Sequence, residues 1–501
     1  MLRSLRTVCL LAVTSHAFFT APMAHAEPWI DTSDQFLRAD IQRLADAGVI
    51  TVPINTYPLM WSGIARNLKS ADISELSPDI AEVVARVNYR YQQTQEQPFT
   101  SEIKAAATSK DKRFTSFGEP HRERASLSVS NSGSSDYFAY KVAASAHYDA
   151  SDNHTYRLDD SYAALLLGNW VVSAGLVSSW WGPGNDQNLH RTNNARPLPG
   201  VTISRNDPQA FETPWLSWLG EWNFTGSMSR LESDRAIANP YLLQMRGTLR
   251  PLRQLELGFS LTNQMCGEGI DCSLSDIWDA LVGGGNCTDG TNDCDSSTKS
   301  HKGNKIAGFD VRYSDTWFDQ PIGIYFERTC EDNAGPYPWQ IADCGRQLGV
   351  DTWLNIGDSV NKVYLEASDT LVACGTNANA FNCFYEHSEY LSGYRYYQRS
   401  IGSSYDSDAR TLVLGVISQT PTYQVETKVR WLQLNKDGGH RNPDYTPYQP
   451  KENLVSISSQ VGRETFMGRV NLGAEVRQSE IAETAKRSTQ ALIFADLTYP
   501  F

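Results

Sequence analysis

The feature that most constrains this fold is an alternation of apolar and polar residues that recurs from about residue 113 to the C-terminus. Between positions 469 and 477 the apolar side chains occupy alternate positions, as Val470, Leu472, Ala474 and Val476. The opposite set is polar or charged: Arg469, Asn471, Glu475 and Arg477. Because successive side chains of a β-strand point to opposite faces, the segment predicts a strand with one apolar and one polar face.

The same pattern occurs many times along the chain. Residues 423–433 alternate Val425, Val429 and Trp431 with Gln424, Glu426, Lys428 and Arg430. Similar segments lie at 137–148, 241–250, 254–262, 306–313 and 322–328. A soluble sandwich buries its apolar faces against one another, whereas a membrane barrel turns them toward lipid and keeps polar faces in the lumen. Alternation alone leaves both architectures open.

The C-terminus and the connections favour the barrel. The chain ends with Ile493, Ala495, Leu497, Tyr499 and Phe501, which resembles the terminal signal of bacterial outer-membrane barrels. With Phe501 at the periplasmic side, short turns fall there and long connections face outward. Those turns are 462–464, 420–421, 315–320 and one near Pro251. We therefore predict an all-β transmembrane barrel of about 16–18 antiparallel strands, in which residues 182–218 have room for a strand pair beyond the sixteen counted.

Residues 163–181 are nearly apolar, and a single membrane helix is the alternative there. Gly168-Asn169 favours a tight turn between strands 162–167 and 170–178 instead. Counting strand directions back from Phe501 predicts that strand 170–178 runs toward the periplasm. It thereby places Trp180 and Trp181 at the periplasmic membrane interface.

The N-terminal 112 residues lack the strand pattern of the rest of the chain. In residues 1–26, Arg3 and Arg6 precede an apolar stretch too short to span a membrane, and Ala24-His25-Ala26 is typical of a signal-peptide cleavage site. Residues 27–112 have a helical period and predict a small bundle with a linker, leaving 113–501 for the barrel. Its helices are predicted after Ser33, which would cap a helix that ends at Gly48, after Pro58, and after Ser77-Pro78. A core of this size predicts that the bundle packs on the barrel.

Cysteine content and net charge further restrict the class of protein and its compartment. Cleavage of the signal removes Arg3 and Arg6 from 44 basic residues, which leaves 42 against 57 acidic residues and a formal charge of −15. Nucleic-acid binding is disfavoured, because it needs a basic face. The eight cysteines that remain predict disulfides in an oxidising compartment, and zinc is the alternative, without a C-x-x-C motif to support it. The predicted couples are Cys266 with Cys272, Cys287 with Cys294, Cys330 with Cys344, and Cys374 with Cys383, all in outer loops.

Two short motifs carry a family resemblance. Trp180-Trp181-Gly182-Pro183-Gly184 and the later Asn193-Asn194-Ala195-Arg196-Pro197 resemble the Wzi-type capsule-assembly proteins of Gram-negative outer membranes. Pro28-Trp29, the helix at 34–48 and the aromatic terminus are also similar to that family. The resemblance implies an eighteen-stranded, lectin-like outer-membrane barrel with a helical bundle at its periplasmic end. It also implies a role in holding capsular or matrix polysaccharide at the cell surface.

Two regions are candidates for sugar binding. Trp180 and Trp181 would be either interface residues or a stacking platform for sugar rings. The outer loops offer amphipathic tyrosines and arginines able to bind acidic groups of a polysaccharide, with continuing strands or an interface belt as the alternative. These candidates are Tyr385, Tyr390, Tyr394, Arg395, Tyr396, Tyr397, Arg399, Arg441 and Tyr445.

Other functions have weaker support. Asp289, Asp293 and Asp295 offer oxygens for calcium without the EF-hand spacing, so a solvated acidic loop is the prediction. The chain has no G-x-S-x-G, H-E-x-x-H or P-loop motif, and we predict no enzyme, cofactor or metal. The predicted partners of this monomer are polysaccharide and outer-membrane lipid. A porin is the alternative function, and the bundle and the segment after Trp181 favour a plugged barrel over it.

Overall fold

The computed structural model describes residues 27–96, 99–119, 123–270, 272–273, 275, 277–278, 303–318, 320–333, 341–372 and 383–501. Three sequence predictions lie outside these residues. They are the signal peptide, the couple Cys287–Cys294 with its acidic loop, and Cys374 as the partner of Cys383.

Within the described chain, eighteen antiparallel strands close into one barrel, which confirms the predicted fold class. Each strand pairs with the next, and the last closes on the first through Pro500 and Glu102. The strands are β1 (Phe99–Thr108), β2 (Ala125–Ser134), β3 (Phe138–Tyr148), β4 (Tyr162–Leu167), β5 (Trp170–Leu176), β6 (Pro199–Arg205), β7 (Glu221–Arg230), β8 (Tyr241–Leu252), β9 (Leu255–Met265), β10 (Gly303–Trp317), β11 (Gln320–Asn333), β12 (Ile341–Ile356), β13 (Ser359–Asp369), β14 (Arg410–Gln419), β15 (Gln424–Leu434), β16 (Glu452–Thr465), β17 (Gly468–Ile481) and β18 (Lys486–Pro500).

The distribution of side chains decides between sandwich and barrel. On β17, Leu472 and Val476 are 54% and 45% exposed, whereas Glu475 and Arg477 are buried. Soluble proteins show the opposite arrangement, since their charged groups face water. An apolar outer wall around a polar interior is the arrangement of a membrane barrel.

The barrel has a short-turn end and a long-loop end. Pro500, the 135–137 turn and the 466–467 turn lie at the short-turn end. The predicted turns at 420–421, at 315–320 and near Pro251 lie there too, whereas 462–464 are still part of β16. The region 163–181 is not a helix, because Leu167 pairs with Trp170 across a tight turn.

The predicted direction of the strand after that turn is wrong. The 168–169 turn lies at the short-turn end, so β5 runs toward the long-loop end. The missed strand β6, inside the 182–218 region, explains the error. Each missed strand reverses the inferred direction of every strand before it.

Three helices lie at the short-turn end: α1 (Gln35–Asp46), α2 (Trp61–Ser70) and α3 (Pro78–Glu96). The α1 cap is Asp34 rather than Ser33, since its carboxylate accepts the N–H groups of Phe36 and Leu37 at 3.0 Å. The barrel begins at Phe99, earlier than the predicted border at 113. No helix of the described residues has the length and apolar character needed to cross a membrane.

The helices insert into the lumen of the barrel. Every residue of α1 from Gln35 to Ala45 is buried, including its charged residues. Asp46 receives the guanidinium of Arg312 on β10 at 3.2 Å, and Glu256 on β9 accepts the main-chain N–H groups of Ile54 and Asn55. These contacts agree with the prediction that the bundle packs on the barrel.

Two of the predicted disulfides are present, Cys266–Cys272 and Cys330–Cys344, and Cys383 is also disulfide-bonded. Cys330 and Cys344 are directly opposite each other on β11 and β12. That bridge therefore joins two strands near the long-loop end, rather than two parts of a loop.

Candidate functional site

The connection between β5 and β6, residues 177–198, folds into the barrel, and we call it the plug segment. Each of its residues from 180 to 195 is buried. Both sequence motifs lie on it, one at each end. The most distinctive part of the sequence therefore fills the lumen.

The two tryptophans of the first motif join the plug segment to the helical region. Trp180 and Trp181 pair in antiparallel register with Tyr57 and Thr56, and they are 0% and 2% exposed. The guanidinium carbon of Arg38 on α1 lies 5.4 Å from the centroid of the Trp180 ring. The predicted position at the membrane interface is wrong, because the chain turns inward after β5. Neither ring has a free face for a sugar.

The small residues of the first motif permit this close packing. A Cβ on Gly184 would lie 1.9 Å from the carbonyl oxygen of Gln187, and Gly182 has a φ of +124°. The Gly182 N–H donates to the carbonyl of Asn55 at 2.9 Å. A side chain at either glycine would displace the plug segment.

Carboxylates of the barrel wall hold the plug backbone. Glu366 on β13 accepts the N–H of Asp186 at 3.0 Å, and Glu327 on β11 accepts the N–H groups of Leu189 and His190 at 2.9 Å. Arg430 on β15 donates to Asp186 at 2.8 Å. The plug segment is thus bonded to several parts of the wall.

His190 is neutral in this environment. Burial, followed by the positive charges of Arg246 and Arg191, lowers the pKa of His190 to about 3. One ring nitrogen lies 2.9 Å from the Thr262 hydroxyl of β9. Among the described residues, an imidazolium here would have two guanidinium neighbours and no carboxylate bonded to it, so the neutral form is stable.

The outer loop 383–409, between β13 and β14, covers the plug segment from the long-loop end. Tyr385 donates its hydroxyl to the carbonyl of Leu189, and Tyr394 donates to that of His190 at 3.0 Å. The Thr192 N–H donates to the carbonyl of Ile401 at 2.9 Å. Loop and plug segment therefore form one hydrogen-bonded unit.

The predicted sugar-binding residues divide by exposure. Arg395 forms ion pairs with Glu386 and Asp406 at 2.7 and 2.8 Å. Tyr390 donates to the carbonyl of Cys266 at 3.1 Å. The buried candidates are Tyr385, Tyr390, Tyr394, Arg395 and Tyr396. The half-buried ones are Tyr397, Arg399 and Arg441, and Tyr445 is 43% exposed.

Half-buried Tyr397 lies beside exposed His154 and the largely buried Arg196, a group that we call the outer aromatic patch. The rings of His154 and Tyr397 are 4.5 Å apart, and the Arg196 guanidinium lies 5.2 Å from the Tyr397 ring. Arg196 is held by Asp159 at 2.8 Å and Asp152 at 2.9 Å. Sequence reasoning missed His154, because no spacing signal relates the 149–161 loop to residue 397.

Among the described residues, no three His, Cys, Asp or Glu side chains are arranged as metal ligands. The polar groups of the lumen are bonded mainly to one another, as the Glu366 and Glu327 contacts illustrate.

Comparisons with known proteins identify the family. The family model for the capsule assembly protein Wzi matches residues 94–492. The chain belongs to this family. It is also 31% identical over 348 residues to an uncharacterized 55.8 kDa protein in the cps region of Klebsiella pneumoniae. That match covers 68% of this chain and 64% of the length of the Klebsiella relative.

A solved structure has the same fold. Wzi of Escherichia coli superposes with a TM-score of 0.79 at 24% identity, covering 94% of this chain and 99% of the other. That protein is an outer-membrane carbohydrate-binding β-barrel involved in group 1 capsule assembly. In the Wzi-family chain described here, both motifs belong to the plug segment, so their glycines and asparagines serve packing inside the barrel. Arg196 of the second motif contacts Tyr397, so the plug segment borders the outer aromatic patch.

Proposed function

We propose that this chain is an outer-membrane lectin that holds capsular or matrix polysaccharide at the cell surface. The long-loop end faces the environment, and the helices face the periplasm. Three observations support this role: membership of the Wzi family, the fold shared with a carbohydrate-binding barrel, and a relative in a cps region. No enzymatic step is part of the proposal.

The filled lumen is the observation that favours binding over transport. The plug segment crosses between wall strands and is bonded to Glu327, Glu366 and Arg430. The helices occupy the short-turn end of the same lumen. A porin needs a continuous aqueous channel. This arrangement favours a binding barrel.

The outer aromatic patch lies at the surface of the outer loops, where a polymer can reach it, as does the predicted residue Tyr445. Flat rings with polar edges suit the apolar faces of sugars, and Tyr397 and His154 offer such rings at the surface. Hydrogen bonds and charge from Asp159 and Asp152 outweigh the effect of burial and raise the pKa of Arg196, so it stays cationic. Binding of acidic groups by Arg399 and Arg441 remains part of the proposal.

The cellular test compares cells with and without this chain at equal total polysaccharide production. We expect more polymer in the medium and less on the cells when the chain is missing. An unchanged partition would contradict anchoring. Planar-bilayer recording of the purified barrel tests the porin alternative, and large steady currents would support transport instead.

The binding site is tested with the double change Tyr397→Ala and His154→Ala. We expect affinity for purified capsular polysaccharide to fall by about two- to tenfold, the effect of losing one or two aromatic contacts. Tyr137→Ala is the matched control, because Tyr137 is an exposed tyrosine at the short-turn end. Equal affinities of the double variant and the control would exclude the outer aromatic patch as the site.

A further inference from the structure

A buried carboxylate in the outer loops has no evident role in the proposed function. Asp408 lies in outer loop 383–409 and is 0% exposed, and among the described residues only the neighbouring Ser407 hydroxyl is near enough to act on its carboxylate, without the geometry of a full hydrogen bond. Its main chain is well bonded, since its carbonyl accepts the Lys436 N–H at 2.8 Å. A buried carboxylate left without a partner is strongly unfavourable, so the site calls for a cation or a proton.

The surroundings of Asp408 have excess negative charge. Asp406, Glu386 and Asp437 all act on it, while Arg395 is already shared between Asp406 and Glu386. Among the described residues, no ion pair reaches either Asp408 or Asp437.

A second oxygen without a donor lies on the adjoining loop. Asn435 donates its amide N–H groups to the carbonyls of Gly439 and Gln449 at 3.0 and 2.6 Å, which fixes the orientation of the amide. Its Oδ1 is buried and, in the part of the chain that the structure describes, has no donor. Asn435 precedes Lys436, the residue whose N–H reaches Asp408, so the two oxygen-bearing residues belong to bonded segments.

Asp437 completes the group and connects it to solvent. One of its carboxylate oxygens accepts the Gly439 N–H at 3.0 Å, and the side chain is partly exposed. Asp408 and Asn435 adopt left-handed backbone conformations, with φ of 51° and 42°. Aspartate and asparagine adopt this conformation more readily than most residues, so both tight turns form at these positions.

We propose that Asp408, Asn435 and Asp437 bind a calcium ion where outer loop 383–409 meets the 435–451 loop. Calcium takes six to eight oxygen ligands and accepts carboxylate, amide and main-chain carbonyl oxygens together. Two acidic side chains suffice when amide and carbonyl oxygens complete the shell. Magnesium demands a stricter octahedral geometry and retains its waters, so this irregular oxygen set favours calcium.

The test uses the full mature chain in detergent, freed of divalent ions, with calcium chloride added in a calorimetric titration. We expect binding in the range of about 10⁻⁴ to 10⁻³ M, typical of extracellular calcium modules. Asp408→Asn should weaken it at least about tenfold, because the charge of the ligand set tunes affinity. Asp444→Asn is the matched control, since Asp444 is an exposed residue of the same 435–451 loop.

A second readout separates lost binding from lost folding. Without calcium, Asp408→Asn should melt at the wild-type temperature or higher, because it removes an unpartnered buried charge. With calcium, only wild type and Asp444→Asn should gain stability, and Asp437→Asn should gain less. Equal calcium binding by Asp408→Asn, no binding by wild type, or equal affinity for magnesium would overturn the proposal.

Discussion

At the residue scale, small and uncharged groups decide how the lumen is filled. Gly184 leaves room for the Gln187 carbonyl, and neutral His190 fits between two guanidinium groups. Neither residue is a catalytic group, and each is explained by what it contacts. Two measurements follow from these contacts.

The first concerns Gly184→Ala. The new methyl group would lie 1.9 Å from the Gln187 carbonyl, so the plug segment must shift. We expect destabilisation of about 1–3 kcal/mol, the usual cost of overpacking, measured by thermal unfolding in detergent. Gly247→Ala on β8 is the control, because a Cβ there meets no atom within 4 Å. Equal melting of the two variants would show that the plug segment is loosely packed.

The second concerns acid sensitivity. His190 has a pKa of about 3 in the folded chain against about 6.5 when unfolded. Between these two pH values only the unfolded chain binds the proton on His190. The contribution of His190 to the free energy of unfolding is therefore present above pH 6.5 and is lost as pH falls toward 3. The loss approaches about 1.4 kcal/mol per pH unit.

We expect His190→Gln to flatten the fall in melting temperature between pH 6.5 and 4. The exposed His154→Gln should keep the wild-type profile. If His190→Gln has the wild-type slope, other groups cause the acid sensitivity.

At the element scale, the plug segment behaves as a strand-to-strand connection that depends on the wall. Glu327 and Glu366 hold four of its main-chain N–H groups, those of Asn185, Asp186, Leu189 and His190. Irregular backbone needs such partners wherever it is buried. The wall residues therefore keep the lumen closed.

Replacing both carboxylates, as Glu327→Ala with Glu366→Ala, should release the plug segment. Each lost hydrogen bond to a charged acceptor is worth about 1.5–3 kcal/mol, and the buried N–H groups would be left unpaired. We expect ion conductance to appear in planar bilayers where the wild type is nearly silent. Glu475→Ala, which removes another lumen-facing carboxylate on β17, should stay silent. If the double variant folds but conducts no ions, the helices alone close the barrel.

At the scale of the whole molecule, helices and barrel share one core. The cluster around Ile41, Leu44 and Val87 also includes Phe117 and Trp180, which come from outside the helical region. The polar residues of α1 bond to the wall, as Asp46 does to Arg312, to the plug segment, as Arg38 does to the Gly184 carbonyl, and to α3, as Asp40 does to Arg86. The helical region therefore completes its core only with residues from the rest of the chain.

A peptide of residues 27–96 should be largely unfolded in isolation. We expect little helical signal by circular dichroism and no cooperative thermal transition, because the fragment loses Trp180, Phe117 and the wall partners of α1. The full chain in the same detergent is the control. A cooperative transition of the peptide alone would contradict this view.

Local patterns predicted the elements well, as two cases show. The stripe Ile80, Val83, Val84 and Val87 predicted the buried face of α3, and all four residues are buried. The alternation around Leu472 and Glu475 predicted an exposed apolar face and a buried charged face. Both depend on side-chain direction, which the backbone period sets residue by residue.

The candidate site was only partly predictable. Tyr385 and Tyr394 were placed in the correct outer loop, but they are buried against the plug segment. Sequence composition does not distinguish a tyrosine that binds a ligand at the surface from one that packs in the core. The outer aromatic patch brings together residues 154, 196 and 397, which no local pattern relates.

The sequence by itself determined most of the strands, the helices and the membrane-type outer wall, because strand and helix periods are local properties of the chain. Only the tertiary structure decided that the segment after β5 turns inward and that Trp180 and Trp181 are buried. Those outcomes depend on partners more than a hundred residues away, such as Glu327 and Glu366. Closure of the barrel creates that polar interior, and no local pattern contains it.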